Sequence, residues 1–215
     1  LVAKAYREIK QRILRNALPP GHQALEQEIA AELDMSRTPV REALIRLEKE
    51  GLVELVPRRG MRVVPLSPAD MKEIYEVLTC LEAMAAELLA RREVGPKDLE
   101  PMERAVSQMD RSLEADDLEA WAAADEEFHR TLLELCGNQR LADMAFAVWD
   151  QVHRARFVTL RLRPKPWQSN SDHRAVLDAV RRRDWREARE LHYRQRRRAG
   201  EEFTVIMEQY RLTAL

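Results

Sequence analysis

The sequence predicts a mainly α protein with two domains: a small N-terminal domain of three helices and a β-hairpin in residues 1–66, and an all-helical antiparallel bundle in residues 67–215. The 215 residues include only 6 glycines and 10 prolines, and the stretches between them are rich in Ala, Leu, Glu and Arg, which favour helix over strand. The hydrophobic fraction of 45% excludes disorder of the whole chain. Apolar residues recur at helical spacing nearly throughout. Residues 52–64 are the exception, because their sequence pattern is typical of two paired strands.

Three helices are predicted in the first domain. Helical spacing of apolar residues predicts the first from Val2 to Leu18, before the breakers Pro19-Pro20-Gly21, and the second from Glu26 to Leu33. Ser36 or Thr38 can cap a third helix, which has a proline in its first turn and a glycine at its end. Two short strands around the basic turn Pro57–Gly60 then form the hairpin.

The second domain begins at Ser67-Pro68, where a capping serine precedes a proline at the first helical position. The helices predicted in it span residues 68–93, 96–114, 117–136, 138–163, 169–183 and 185–211.

Membrane insertion and secretion are not expected. No run of eighteen apolar residues exists, and the first thirty residues carry five Lys and Arg without a signal-type apolar core. Cys80 and Cys136 are too few for a disulfide framework, so we expect a reducing cytoplasm.

Three helices followed by a hairpin with a basic tip outline a winged helix-turn-helix, which binds double-stranded DNA. Arg37 and Arg41 project from one face of the third helix near its N-terminus, the end that enters the major groove, and each can fork onto a guanine. The other groups expected to reach phosphates, base edges or the minor groove are Gln27, Ser36, Thr38, Arg58 and Arg59, with Gly60 allowing close approach of the turn. The alternative is a solvated arginine face paired weakly with Glu28, Glu42 or Glu48. Residues 1–65 carry a net charge of +3 and the remainder −4, which agrees with DNA contact without establishing it.

A polar constellation is expected inside the bundle. Asp125 and His129 are four residues apart, at metal-ligand spacing on one helix face, although a solvated Asp and a packed His would look the same. His173, Arg154 and Arg156 lie on further predicted helices and could converge with them into a metal or small-anion site. The arginine-rich stretch from 154 to 198 could instead contact nucleic acid, or be a solvated surface.

The motif from Ser36 to Leu44, SRTPVREAL, with the Arg59-Gly60 tip and the Leu18–Gly21 turn, resembles the N-terminal domain of the GntR family of bacterial transcription regulators. The resemblance covers residues 2–65 and implies winged-helix DNA binding, usually as a dimer on a palindrome, with positions 37 and 41 as the main base readers. Residues 67–215 resemble the FCD type of effector domain, whose pattern includes Asp-x3-His, a second His and a last His. These correspond to Asp125, His129 and His173, but the last His position holds Gln195, and His192 lies one turn earlier.

This resemblance implies a small-molecule effector, an organic acid, bound with a divalent metal such as Zn or Ni. Gln is a poor ligand for either ion, so the fourth ligand stays open between His192 and Gln195. The family commonly carries an Arg where this chain has Leu78, which would remove one group for an effector carboxylate. Two rival functions are a metalloenzyme using the bundle site and an architectural DNA binder without an effector.

Overall fold

The computed structural model describes residues 1–212, except for the side chains of Phe157 and Val158. These residues divide into two compact units. The first contains residues 1–71, residues 147–158 and the chain from Met207 onward; the second contains residues 72–146 and 159–206. Within residues 1–212, no helix is both long and apolar enough to cross a bilayer.

The first unit contains three helices and a small antiparallel sheet. The helices are α1 (Val2–Leu14), α2 (Glu26–Glu32) and α3 (Arg37–Lys49), and the strands are β1 (Gln23–Ala24), β2 (Val53–Val56) and β3 (Gly60–Val63). The strand order is β1-β3-β2, so the predicted hairpin gains a third strand of two residues. The first helix ends at Leu14, four residues before the predicted boundary at Leu18.

The core of this unit follows the predicted helical spacing. Four side chains of α3, namely Val40, Ala43, Leu44 and Leu47, are fully buried, as is the α1 face that includes Ile13. Burial of each large aliphatic side chain contributes about 1.5–3 kcal/mol, so these contacts hold α3 in place and leave its opposite face exposed.

Residues 147–158 join this unit through polar contacts. Lys10 Nζ lies 2.6 Å from Asp150 Oδ2, and Gln151 Nε2 donates to the Glu50 carbonyl at 3.1 Å. Arg154 Nη2 donates to the Val64 carbonyl at 2.6 Å. The chain just past β3 is therefore fixed by a buried arginine.

The second unit is helical. Its helices are α4 (Pro68–Arg91), whose first turn belongs to the first unit, α5 (Pro96–Glu114), α6 (Leu118–Leu135), the start of α7 (Gln139–Thr159), α8 (Trp167–Arg181) and most of α9 (Trp185–Gln209). The predicted helix 138–163 ends as a 3-10 turn, Leu160–Leu162. Pro164 and Pro166 follow this turn, and a proline disfavours α-helix in the residue before it.

Gly60 at the start of β3 is required by the fold of the first unit. Its φ is +79°, and a Cβ there would lie 2.1 Å from the Ala24 carbonyl oxygen of β1. We expect Gly60→Ala to destabilise the full chain by about 3–4 kcal/mol, because backbone strain and a clash with backbone act together. Urea unfolding measures this loss.

The matched control is Gly21→Ala. Gly21 has a similar φ of +76°, but a Cβ there would meet nothing within 4 Å. Only the strain of the left-handed conformation remains, about 1 kcal/mol. Equal losses for the two variants would show that β1 moves aside at no cost.

Candidate functional site

The start of α3 presents a row of exposed polar side chains. Ser36 is the N-cap residue by backbone position, but its hydroxyl makes no capping hydrogen bond. Ser36, Arg37, Thr38 and Arg41 are all exposed, and the two arginine side chains are 66% and 67% accessible. This face of the helix is available to an external partner.

The hairpin tip lies beside the same surface. A single groove is lined by residues from the start of α2, the start of α3 and the β2–β3 turn: Leu25, Glu26, Gln27, Arg37, Arg41, Leu55, Val56, Pro57, Arg58 and Gly60. Arg58, at the tip, has a φ of +65°, and both Arg58 and Arg59 are exposed. The structure thus brings six of the eight sequence-predicted residues of this surface either into the groove or onto its tip, and places the other two, Ser36 and Thr38, at the adjacent helix start.

Glu26 is an acidic residue of this groove that the sequence analysis did not single out. Its carboxylate lies 3.4 Å from Arg37 Nη2 and 3.9 Å from Arg41 Nε. Both distances are long for an ion pair, and both guanidinium groups are largely exposed, so each pair is weak. An incoming duplex can therefore take both arginines from Glu26 at little cost.

A second cluster of polar side chains is buried in the helical unit. Its members, each at most 3% exposed, come from four helices: Glu82 from α4, Asp125 and His129 from α6, His173 from α8, and His192, Gln195 and Arg196 from α9. We call these seven residues the buried polar cluster. The i, i+4 spacing on α6 therefore directs two ligand-type side chains into the interior.

The contacts around the two central histidines leave the same ring nitrogen of each facing the centre. His173 Nδ1 lies 2.5 Å from the Ser169 carbonyl, and an acceptor there requires that Nδ1 carries the proton. His129 Nδ1 lies 2.9 Å from Glu82 Oε2, an ion-pair distance, although within residues 1–212 this nitrogen makes no hydrogen bond. The two Nε2 atoms are 3.2 Å apart, and Gln195 Nε2 also lies 3.0 Å from His173 Nε2. A proton on His129 Nε2, or a cation between the two rings, accounts for this close approach.

The donor atoms fit a small metal ion. Asp125 carboxylate oxygens lie 3.6 Å from His129 Nε2 and 3.5 Å from His173 Nε2. Tetrahedral ligands about 2.0–2.1 Å from zinc are separated by roughly 3.4 Å, close to all three separations. A carboxylate or carbonyl partner on the second nitrogen of each imidazole is also the usual support of a metal-binding histidine.

Gln195 and His192 have different partners, although both are buried on α9. Gln195 Nε2 lies 3.0 Å from His173 Nε2, at the centre of the donor set, and its Oε1 has no hydrogen-bond partner among residues 1–212. His192 Nε2 instead lies 2.9 Å from Glu82 Oε2. Gln195 therefore lies beside His173, which groups with Asp125 and His129, whereas His192 groups with Glu82 and His129.

Electrostatics keep the cluster in a ligand-ready state. Burial lowers the pKa of His173 to about 3, although Asp125 opposes the shift, and burial lowers the pKa of His192 to about 4 despite Glu82. Burial alone would raise the pKa of Glu82, but Arg196, followed by His129 and His192, outweighs it and holds that pKa well below its usual range. At neutral pH, His173 and His192 are thus neutral and Glu82 is ionised.

Arg154 and Arg156, the predicted effector-binding arginines, lie on the part of α7 that belongs to the first unit. Arg154 is buried and binds the Val64 carbonyl, and burial lowers its pKa to about 10. Arg156 is half-buried. Their role in effector binding stays a prediction.

The arginine-rich stretch from 154 to 198 includes arginines at the end of α8 and along α9, and these arginines have acidic neighbours. Arg181 pairs with Glu103, Arg182 with Glu187, and Arg197 with Glu201. This pairing favours a solvated, salt-bridged surface over a second nucleic-acid surface.

Comparisons with known proteins agree with this geometry. The model of the family described as "Bacterial regulatory proteins, gntR family" matches residues 1–63, and the FCD domain model matches residues 73–195. A relative from Streptomyces ambofaciens, an uncharacterised HTH-type transcriptional regulator, is 36% identical over 81% of this chain and 73% of that protein. The HTH-type transcriptional repressor GlaR of Escherichia coli is 29% identical over 86% of this chain and 88% of its own length.

A solved structure shows the same fold. Escherichia coli McbR/YncC aligns with a TM-score of 0.81 at 20% identity, covering 97% of this chain and 98% of that one. At this identity the likeness concerns the fold alone.

Proposed function

Because the chain belongs to the gntR family of bacterial regulatory proteins and carries an FCD domain, we propose that it is a ligand-responsive repressor that binds a palindromic operator as a homodimer. Family and relatives identify a DNA-binding transcription regulator rather than an enzyme. The effector in this proposal is a small carboxylate metabolite, and the compartment is the cytoplasm. The buried polar cluster carries the proposal, since a plain DNA binder has no use for it.

The DNA-reading role rests on the exposed arginines of α3. Arg37 and Arg41 are long, charged and weakly paired, and the buried face of the same helix holds them in fixed register. A guanidinium can donate two parallel hydrogen bonds to guanine O6 and N7. We assign phosphate or base-edge contacts to Ser36, Thr38 and Gln27, and contacts with the DNA backbone or minor groove to Arg58 and Arg59 of the tip.

The ligand-sensing role rests on the donor set of Asp125, His129 and His173. One carboxylate and two imidazoles suit zinc, nickel or a similar divalent ion, and we assign the fourth protein position to the carboxamide oxygen of Gln195, whose Nε2 lies 3.0 Å from His173 Nε2. Such an ion would supply a positive centre for an effector carboxylate. Glu82 holds the His129 ring in orientation through Nδ1.

Response to the effector requires two states with different affinity for the operator. A dimer on two half-sites reads their separation, about one helical turn of DNA, so a ligand that favours another spacing of the reading helices weakens binding. Effector and operator then bias one equilibrium in opposite directions.

Fluorescence anisotropy with labelled duplexes from the region upstream of the gene tests the proposal. We expect two protomers per site, a footprint with two half-sites, and weaker binding when the zinc-loaded protein meets a carboxylate metabolite. The Asp125→Ala variant should bind the duplex but lose metal and response. Binding without sequence preference, or a response unchanged in Asp125→Ala, would overturn the proposal.

Removal of the Glu26 carboxylate should loosen sequence discrimination. In Glu26→Gln, Arg37 and Arg41 lose their weak ion-pair partner, and the groove carries one negative charge fewer to repel DNA phosphates. We therefore expect roughly threefold tighter binding to unrelated duplexes. Operator affinity should rise less, which lowers the specificity ratio. Anisotropy with both duplexes at fixed salt measures this ratio, and Glu32→Gln, an exposed acid at the end of the same helix and outside the groove, is the control.

A further inference from the structure

Two buried donors of the helical unit lie outside the metal donor set. Arg196 on α9 is 2% exposed, and Tyr75 on α4 is 4% exposed. The guanidinium carbon of Arg196 lies 5.6 Å from the centroid of the Tyr75 ring. A guanidinium and a phenol are thus neighbours in the interior, and the proposed metal ligands include neither.

Arg196 is only partly neutralised. Its Nε lies 3.1 Å from Glu82 Oε2, and the same oxygen is 2.9 Å from His192 Nε2 and 2.9 Å from His129 Nδ1. Three nitrogens thus lie within 3.1 Å of one carboxylate oxygen, but of the three only His192 Nε2 is hydrogen-bonded to it; among the described residues, Arg196 Nε and His129 Nδ1 make no hydrogen bond. Within residues 1–212, Arg196 Nη2 and the hydroxyl of Tyr75 have no hydrogen-bond partner. Buried polar groups without partners are rare because each loses its hydration, so these two call for a bound species.

The chemistry of the two donors selects an anion. Arginine offers only donors and stays charged, and the tyrosine hydroxyl can donate alongside it. The surroundings are aromatic and cationic: the Tyr75 ring lies 5.8 Å from Phe203, and the Arg163 guanidinium carbon lies 5.4 Å from Phe203. Arg196 is already paired with the ionised Glu82, but its unpartnered Nη2 and the Tyr75 hydroxyl are donors, and donors suit the carboxylate of a small organic acid.

We propose that Arg196 Nη2 and the Tyr75 hydroxyl bind the effector carboxylate, an inference that rests on the proposed function. Tyr75, Leu78 and Glu82 share one face of α4 by their i, i+3, i+7 spacing, and Arg196 contacts the first and the last of them. The positive charge beside Leu78 therefore comes from α9.

The competing role for Arg196 is structural, as the counter-ion of Glu82 alone. The two roles differ in what the distal nitrogens and the tyrosine hydroxyl do. A counter-ion needs only charge near Glu82, which lysine also offers, and it makes no use of the hydroxyl. Arg196→Lys and Tyr75→Phe therefore separate the two roles while they retain charge and packing.

Isothermal titration calorimetry of the zinc-loaded full chain provides the test. The probes are acetate, glycolate, L-lactate and succinate, each matched with its neutral amide at constant ionic strength. The controls are Arg194→Lys, on α9, and Tyr210→Phe, just past its end; both side chains are exposed, and neither lines the cavity that Tyr75 borders. Circular dichroism melting checks that each variant folds.

At least one carboxylate should bind, and its amide should not. Arg196→Lys and Tyr75→Phe should each weaken binding about tenfold or more, as expected for a lost hydrogen bond to a charged group, and the controls should stay within about twofold. If carboxylates bind and release operator DNA equally well in all five proteins, this inference is wrong and the proposed function stands. If no carboxylate binds and none affects the DNA complex, both are wrong.

Discussion

Arg41→Ala is expected to weaken binding to the specific operator by about 1–3 kcal/mol, or roughly tenfold to a hundredfold, and to relax base preference at one position of each half-site. Its side chain is 67% exposed and its nearest acid, Glu26, is 3.9 Å away, so folding loses little by the substitution. The effect therefore comes from the DNA complex itself. Anisotropy against the operator and a single-base substitution series measures it.

Two arginines provide the controls. Arg58→Ala, at the hairpin tip, should weaken binding to every sequence alike and flatten the salt dependence, as loss of a phosphate contact does. Arg46→Ala, on the last turn of the same α3 helix, should change neither. A uniform loss from Arg41→Ala as well would mean that position 41 touches phosphate and that Arg37 reads the bases alone.

The features of the first unit that depend on local sequence were predictable. The spacing of Val40, Ala43, Leu44 and Leu47 marks the buried face of α3, and the arginines on its other face follow from the same periodicity. Strand β1 could not be found in this way. It has two residues, Gln23 and Ala24, and exists only because β3, nearly forty residues later, offers it hydrogen bonds.

The buried polar cluster also contains one pair that local sequence predicts and other contacts that depend on residues far apart in the chain. Asp125 and His129 are four residues apart on one helix, so their convergence could be predicted from spacing alone. The contacts of Glu82 with His129, His192 and Arg196 join residues 47, 110 and 114 positions apart, and no local pattern specifies them. Packing of α4 against α6 and α9 makes these pairs, and packing is what a single sequence leaves open.

His192 and Gln195 show the difference most directly. They are three residues apart on α9, about 60° short of one full helical turn. The sequence alone therefore left either residue as the fourth ligand. In the structure both side chains are buried, yet one faces Glu82 and the other His173. A small rotation about one helix axis thus decides which residue completes the donor set.

Gln195→His should convert a weak metal site into a strong one. Gln195 Nε2 is 3.0 Å from His173 Nε2, so an imidazole at this position would join Asp125, His129 and His173 as a fourth ligand. One oxygen and three nitrogen donors suit zinc or nickel better than a set that includes a carboxamide. We expect metal affinity to rise at least about tenfold, which adds about 1.4 kcal/mol to the stability of the metal-loaded chain and raises its melting temperature by roughly 3–6 °C.

Metal analysis after dialysis against a weak chelator, together with melting curves with and without zinc, measures the gain. Asp125→Ala should abolish it in either background, because the charged ligand is lost, and His192→Ala should leave it intact, since His192 faces Glu82. If the Gln195→His chain gains nothing while His192→Ala strips metal from the wild type, His192 is the fourth ligand and α9 is rotated relative to the arrangement described. If neither the wild type nor Gln195→His retains metal, the pocket recognises its effector through guanidinium and amide groups alone, and a proton on His129 Nε2, instead of an ion, accounts for its close approach to His173.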